Sequence, residues 1–368
     1  MITTATEQLH GSEILTNSCL NCFKSCRRKF YFAYEKGWRP ICEIETLRFG
    51  EIIHFGIDAM AKYLTLAEIE TEVRSRYEFS ESELKTLPDA NNAITKLRYE
   101  CETAICLLKG YWSAWWESTV QIIQSESVFN LPIINPETGG TSRTFEQGGK
   151  RDRLAKLPDG RLALVETKTT SENIEPGSDY RNVLGLNSQI CMYFEAYQAE
   201  GIDVETTLYD VIKKPSIRPS LVALTDEAGL KIVLDTDGNR VCKKDGEPRQ
   251  TADTEKGYVL QTREMTPQEW SAKLTADIAS RPEFYFQRFE VPLLQTDREQ
   301  FRTELWEISQ DLLACRNKGR WYRNTSSCRQ WNRLCSYYPL CSGQLSSDNG
   351  VPTGFRVADI LHEELVEE

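Results

Sequence analysis

Apolar residues at Phe49, Ile52, Ile53, Ile57, Met60 and Leu64 keep the i, i+3, i+4 rhythm of one helix face, so the spacing predicts an amphipathic helix over 49–64. Glu51, His54 and Asp58 share a different face of it. Leu97, Cys101, Ile105, Leu108, Trp112, Trp115 and Trp116 repeat the rhythm and predict a second long helix over 90–118, and neither stretch has an internal proline. Past Val120 the period shortens. Alternation through Val128-Phe129-Asn130-Leu131, then Pro136, Gly139 and Gly140, reads as a strand and a turn. Residues 145–157 and 161–169 flank Pro158-Asp159-Gly160, a hairpin signal. Leu162-Ala163-Leu164-Val165 is apolar on both faces, which places its strand centrally in a sheet. A helix over 187–199, packing through Ile190, Phe194 and Tyr197, and a strand over 206–213 follow. Residues 215–257 are polar and turn-rich, a peripheral hairpin or an insertion. Helices over 267–280 and 297–316 bracket a strand near 284–292. The order describes an α/β or α+β core inside a helical frame.

Composition narrows the classes. The chain has 368 residues, 40 % of them hydrophobic, and a net charge of −11, which argues against wholesale disorder. No apolar run approaches the ~20 residues of a membrane-spanning helix, and the first twelve residues lack a leader pattern, so a cytoplasmic address is expected. Twelve cysteines do not form stable disulfides in that compartment. Cys101, Cys106, Cys191 and Cys242 are read as small buried hydrophobes. Cys19, Cys22 and Cys26 cluster near one end, and Cys328, Cys335 and Cys341 near the other, which points to one shared site. Thiolate sets suit zinc or iron–sulfur centres. Cys19-x-x-Cys22 and Cys22-x-x-x-Cys26 have zinc-knuckle spacing, whereas the x₆ and x₅ gaps of the second cluster do not.

The hairpin carries the candidate chemistry. Pairing about its turn sets Asp152 opposite Glu166 and Thr167, and Glu166 and Lys168, two apart on a strand, leave one face. Two carboxylates and a nearby peptide carbonyl are hard ligands for Mg²⁺ or Mn²⁺, and a lysine beside them can offset charge developing on phosphorus. Glu-x-Lys alone describes an ordinary cross-strand pair. His54 adds an imidazole outside its helix's apolar stripe, and Gln189 and Tyr193, four apart on the helix after the Glu-x-Lys strand, can reach over the same sheet edge.

Taken in order, Gly50-x-x-x-His54, Gly149-x-x-Asp152, Glu166-x-Lys168 and Gln189-x-x-x-Tyr193 resemble the PD-(D/E)XK nucleases of the RecB type, with Arg151 where the family name has Pro. The resemblance implies that His54, Asp152, Glu166 and the Thr167 carbonyl hold the metal, that Lys168 serves catalysis, and that Gln189 and Tyr193 help hold DNA. Ser25-Cys26-Arg27-Arg28-Lys29-Phe30 and the Cys328-x₆-Cys335-x₅-Cys341 run are similar to the ligand segments of iron–sulfur members, among them the AddB nuclease domain and CRISPR-associated RecB-like exonucleases. This implies a [4Fe–4S] cluster on Cys26, Cys328, Cys335 and Cys341, with Cys19 and Cys22 spare. The implied fold is α/β: a restriction-endonuclease-like mixed central sheet flanked by helices, its helical frame closed by the Cys-ligated cluster. The expected organisation is one nuclease domain over 1–342, with 11–48 and 316–342 as iron–sulfur lobe, 49–214 as catalytic core and 215–257 inserted, followed by an acidic tail over 343–368.

The negative total conceals two basic segments. Residues 24–39 hold six basic side chains and one acid, and 316–333 hold six and none. Both flank the expected cluster ligands, with Phe23, Tyr31, Trp38, Trp321, Tyr322 and Trp331 among them. Cations and aromatics together suit single-stranded nucleic acid, although the aromatics equally suit packing around a cluster. Arg27, Arg28 and Lys29 are the candidate DNA contacts. The expected function is a metal-dependent DNA nuclease, an exonuclease on ends or single strands in repair, recombination, CRISPR adaptation or phage DNA processing, with protein partners in such a complex. The alternatives are a non-catalytic DNA-binding or scaffold subunit and a zinc-stapled adaptor.

Overall fold

The computed structural model describes residues 12–41, 45–85, 90–115, 118–330, 333–346, 350–362 and 365–366. Trp116, Trp331, the tail acids Asp348, Glu363, Glu364, Glu367 and Glu368, and residues 1–11 read for a leader lie outside them. The chain divides into two compact units, one of residues 1–54, 117–211 and 287–368, the other of 55–116 and 212–286.

In chain order the elements begin with strand β1 (Glu13–Leu15), helices α1 (Asn17–Ser25) and α2 (Arg27–Phe30), a π-helical turn over Tyr31–Glu35, and strand β2 (Trp38–Pro40). Helices α3 (Glu45–Ala61), α4 (Leu66–Leu84) and α5 (Ala90–Trp115) follow, then strands β3 (Gln121–Ile134), β4 (Thr141–Lys156) and β5 (Leu162–Thr170). Helices α6 (Asp179–Leu184) and α7 (Ser188–Ala199) lead to β6 (Thr206–Lys213), and four short strands come next: β7 (Leu221–Ala223), β8 (Val233–Leu234), β9 (Val259–Leu260) and β10 (Thr262–Glu264). The chain continues through α8 (Pro267–Ser280), α9 (Pro282–Tyr285), β11 (Phe286–Val291), α10 (Gln295–Lys318), β12 (Arg329–Gln330), β13 (Arg333–Leu334), α11 (Tyr338–Cys341) and β14 (Phe355–Val357).

The first unit is built on a six-stranded mixed sheet of order β1-β4-β5-β6-β11, with β3 paired to β4 beside that path. The expected hairpin is present. Arg153–Lys156 of β4 run antiparallel to Leu162–Val165 of β5, and β5 is central and apolar on both faces as the sequence predicts. The pairing of β1 parallel to Phe145–Gln147 was not legible, because three residues carry no periodicity. One strand, β4, thus pairs with β1 at one end and β5 at the other, and Gly148–Asp152 runs past the opening between them. Leu154, Leu164, Tyr209 and Val211 of the sheet pack with Ile190 and Phe194 of α7 and Phe301, Leu305 and Leu312 of α10. Ala155, Ala163, Val165 and Leu208 form a thinner cluster.

Hydrogen bonds draw together the two ends of the chain. The Arg28 amide donates to the Tyr322 carbonyl at 3.1 Å, Asn324 Nδ2 and Ser327 Oγ donate to the Ser25 carbonyl at 2.9 and 2.8 Å, and the Tyr337 hydroxyl donates to the Trp38 carbonyl at 2.7 Å. Part of the tail pairs too, β14 antiparallel to β2.

In the second unit α5 packs on α4 and α8. Helix α8 begins as its sequence dictates, with a Thr266/Glu269 capping box and Pro267 in the first turn. Residues 215–257 hold only short strands and turns. Cys242 corrects an expectation: it is exposed, whereas Cys101, Cys106 and Cys191 are buried, and in its segment Val233 and the adjacent Val241 take the buried positions instead. Among the described residues, no helix is long and apolar enough to cross a membrane.

Candidate functional site

A cleft of about 470 Å³ opens in the first unit beside the Gly148–Asp152 stretch; His54, Glu126, Asp152, Lys168, Gln189 and Tyr193 are among the residues lining it. Its floor follows from the sheet. The β4–β5 ladder stops at Arg153 and Val165, and the next amide, Thr167 N–H, donates at 2.9 Å to Asp152 Oδ2 instead of a main-chain carbonyl. Asp152 is therefore held by the divergence of the strands. Gly148 and Gly149 permit that close packing: a Cβ on Gly148 would lie 2.6 Å from Ile14, and one on Gly149 would lie 3.0 Å from the Phe129 ring and 3.4 Å from that of Tyr193.

Glu166 is 1 % exposed. Its Oε1 accepts from Lys168 Nζ at 2.5 Å, and Lys168 Nζ donates also to Gln189 Oε1 at 3.0 Å. Gln189 Nε2 donates to the Tyr193 hydroxyl at 2.7 Å, which donates to the Lys150 carbonyl at 2.6 Å. The four residues and β4 form one continuous hydrogen-bonded chain across the cleft. Asn187 caps α7 by accepting from the Gln189 amide, which fixes Gln189 in the first turn and Tyr193 one turn on.

The electrostatics follow from burial. Desolvation, with the Asp152 charge adding, pushes the Glu166 carboxyl up against the pull of Lys168. Burial works to deprotonate Lys168, but the Glu166 charge and hydrogen bond outweigh it and hold its pKa above the ordinary value. The His54 imidazole lies with Nδ1 3.7 Å from Asp152 Oδ2. Desolvation lowers its pKa, against Asp152 and with Lys168 and Arg153 adding to the effect, which favours the neutral form that a metal requires.

Glu166 Oε2 is buried and has no hydrogen-bond partner. An unsatisfied carboxylate oxygen in a floor shared with Asp152, an imidazole at the edge, and room for water fit a hard divalent cation. As the side chains stand, no three His, Cys, Asp or Glu groups among the described residues converge closely enough to ligate one. Lys168 holds Glu166 Oε1, which leaves Oε2 as the oxygen open to a cation.

Arg27, Arg28 and Lys29 are not in this cleft. Arg27 lies between the rings of Phe23 and Tyr322, 4.8 and 4.6 Å from their centroids, and pairs with Asp311 at 2.7 Å. Arg28 Nε donates to the Trp321 carbonyl at 2.8 Å. Phe23, Trp38 and Trp321 are buried, so packing, not base stacking, accounts for them, while Tyr322 is exposed. Lys24, Lys318, Arg320, Arg323, Arg329 and Arg333 are exposed.

Cys26, Cys328 and Cys335 lie within electrostatic reach of Cys341 where the chain ends meet, but no three of these thiols converge closely enough to ligate a metal as they stand. All are free thiols. Burial raises the Cys341 pKa, and the charges of Cys26, Cys335 and Cys328 raise it further. The Asn324 amide donates to Cys26 Sγ at 3.4 Å. Thiols that oppose one another's ionisation in a partly buried site fit a cationic centre. Cys22, pushed up to about 11 by burial, also feels Cys26 and Cys335, whereas Cys19 packs in the main core.

The sequence reading missed Glu126 and Lys150, which also border the cleft. Only the β3 register could have found Glu126, and its flanking residues carry no motif.

The sequence profile of the PD-(D/E)XK nuclease superfamily matches residues 15–342. No curated protein matches the chain. A solved structure titled "Crystal structure of SSO0001" is similar at 15 % identity and a TM-score of 0.20, over 38 % of this chain and 56 % of that one. The chain thus spans little more than half of that structure's length.

Proposed function

The chain belongs to the PD-(D/E)XK nuclease superfamily, and from that premise we propose that it is a Mg²⁺- or Mn²⁺-dependent deoxyribonuclease of the RecB-like type, acting as an exonuclease on DNA ends or single strands. The observation that carries the reading is the buried Glu166 with its orphaned Oε2, tied through Lys168 and Gln189 to Tyr193 beside Asp152. His54, Asp152, Glu166 and the Thr167 carbonyl would hold the cation, which when bound supplies Lewis-acid stabilisation of phosphoryl charge and a more acidic water. Lys168, cationic and fixed by two acceptors, offsets charge developing on phosphorus. Gln189 and Tyr193 keep that ammonium aimed and form the wall against which the strand lies.

Four thiols near the meeting of the chain ends support a [4Fe–4S] cluster on Cys26, Cys328, Cys335 and Cys341, with Cys26 at the end of the helix whose first turn borders the cleft. Work on DNA ends in repair, recombination, CRISPR adaptation or phage DNA processing, inside a larger complex, accords with this reading.

The test is cleavage of end-labelled single-stranded, duplex and circular DNA with Mg²⁺ or Mn²⁺. Linear DNA should be degraded and circles spared, and Asp152→Ala and Lys168→Ala should each lower the rate by about 10²-fold or more. Full activity in either variant would refute the assignment, and cutting of circles would refute strict end dependence.

A further inference from the structure

Three charged residues of the cleft, Glu51, Glu126 and Lys150, have no part in the proposed chemistry, and the last two form an ion pair. Lys150 Nζ lies 2.6 Å from Glu126 Oε2, with side chains 21 % and 32 % exposed. Strand geometry ties this pair to the site. Lys150 and Asp152 are two apart on β4, so their side chains leave the same face. Ser125 pairs with Arg153 and Ser127 with Arg151, which sets Glu126 opposite Asp152 and on that face too. The Lys150 main chain is pinned by the Tyr193 hydroxyl on its carbonyl, while its side chain reaches solvent.

Among the described residues, the lysines lining the cleft are Lys150 and Lys168. Lys168 is committed to buried Glu166 and to Gln189. A polyanionic strand entering past Glu51, Glu126 and Asp152 needs a cation that can leave its partner without stranding a buried charge. Lys150 meets that condition, because Glu126, freed of it, still faces water. We propose that Lys150 grips a backbone phosphate of the nucleic-acid strand and that Glu126 is its resident competitor, holding the ammonium in position until the strand displaces it. The exchange swaps one charge-assisted contact for another. It rests on the nuclease reading for its ligand class.

Binding of a dye-labelled single-stranded oligonucleotide, followed by fluorescence anisotropy with EDTA present over a salt series, tests the proposal apart from catalysis. Lys150→Gln should weaken binding about five-fold and flatten the log–log salt slope by about one, while Lys150→Arg restores both. Glu126→Gln should tighten binding about two- to five-fold by removing the competitor. In Mn²⁺-dependent cleavage the Lys150→Gln loss should fall on KM. Unchanged affinity and salt slope in Lys150→Gln, with a lowered Tm in both variants, would make the pair a plain cross-strand bridge and overturn the proposal. Weaker binding or abolished cleavage in Glu126→Gln would also overturn it, placing Glu126 among the groups that act directly. A wild-type protein that binds through Lys150 but cuts no DNA would leave this inference standing and sink the nuclease reading.

Discussion

Gln189 serves two neighbours at once, accepting from Lys168 and donating to Tyr193, because an amide carries an acceptor oxygen and donor nitrogen on separate atoms. Gln189→Ala should therefore release Lys168 onto Glu166 alone and lower kcat by about ten- to a hundred-fold, with a smaller effect on KM. Gln189→Glu keeps the acceptor but removes the donor to Tyr193, and should recover little. Steady-state kinetics with thermal melts would separate this from a folding defect: an unchanged kcat in Gln189→Ala would leave the residue a packing role only. At this scale the sequence was informative where spacing reports geometry, since i, i+2 on a strand and i, i+4 on a helix place Glu166 with Lys168 and Gln189 with Tyr193. It was silent on Glu126 and Lys150, whose meeting depends on a long-range register.

The divergence of β1 and β5 along β4 makes the cleft, and two features of the elements maintain it. On one side Gly149 lets Phe129 and Tyr193 close on the strand. Gly149→Ala should cost about 1–3 kcal/mol through overpacking and loosen the Tyr193 contact to Lys150, readable as a lower Tm together with reduced kcat. On the other side buried Asp210 of β6 joins Arg153 of β4 at 3.4 Å and Arg288 of β11 at 3.1 Å. Asp210→Ala, which leaves the buried Arg153 and half-buried Arg288 guanidiniums without that carboxylate, should destabilise by about 3–5 kcal/mol in denaturant unfolding; a loss below ~1 kcal/mol would show that their other partners suffice. The second unit has its own junction, where Asp277 of α8 accepts from Arg281 and from the Tyr285 hydroxyl of α9. Arg281 chiefly, with Tyr285, holds the Asp277 carboxyl below its ordinary 3.8. Its stabilisation is complete above that value and is lost as pH falls through the lowered folded one, so Asp277→Asn should lose stability at neutral pH and show a shallower acid limb. Helices α5 and α7 were legible because their periods are sustained, and β5 because a continuous apolar run follows a turn signal. Helix α4 was missed although Ile69, Val73 and Tyr77 keep a helical spacing and are buried, whereas β1 was missed because three residues cannot show a pattern.

At the scale of the whole chain, the most distant residues in sequence are joined by the most specific contacts. Ser25 accepts from Asn324 and Ser327, and Trp38 accepts from Tyr337. That the two cysteine groups share a neighbourhood was readable from their placement at opposite ends, but the hydrogen bonds that bring them there were not, because Asn, Ser and Tyr at these positions form no motif. These bonds, each worth about 0.5–1.5 kcal/mol, act with the Arg316 pairs to Glu13 and Glu35, the Arg27 pair to Asp311 and the β14–β2 pairing, and a centre ligated by thiols from both ends should add to that closure. Protein purified without oxygen should then be brown, absorb near ~400 nm and hold about four irons and four sulfides per chain. Cys335→Ser should lose the colour and lower Tm, and limited proteolysis should now release the ends, while the Tyr193 contacts in the cleft persist. Iron-free protein with stoichiometric zinc would assign the thiols to a structural zinc site instead, and a metal-free chain whose ends resist proteolysis as well as before would show that the hydrogen bonds and the Phe32, Trp38, Tyr337 and Phe355 cluster suffice.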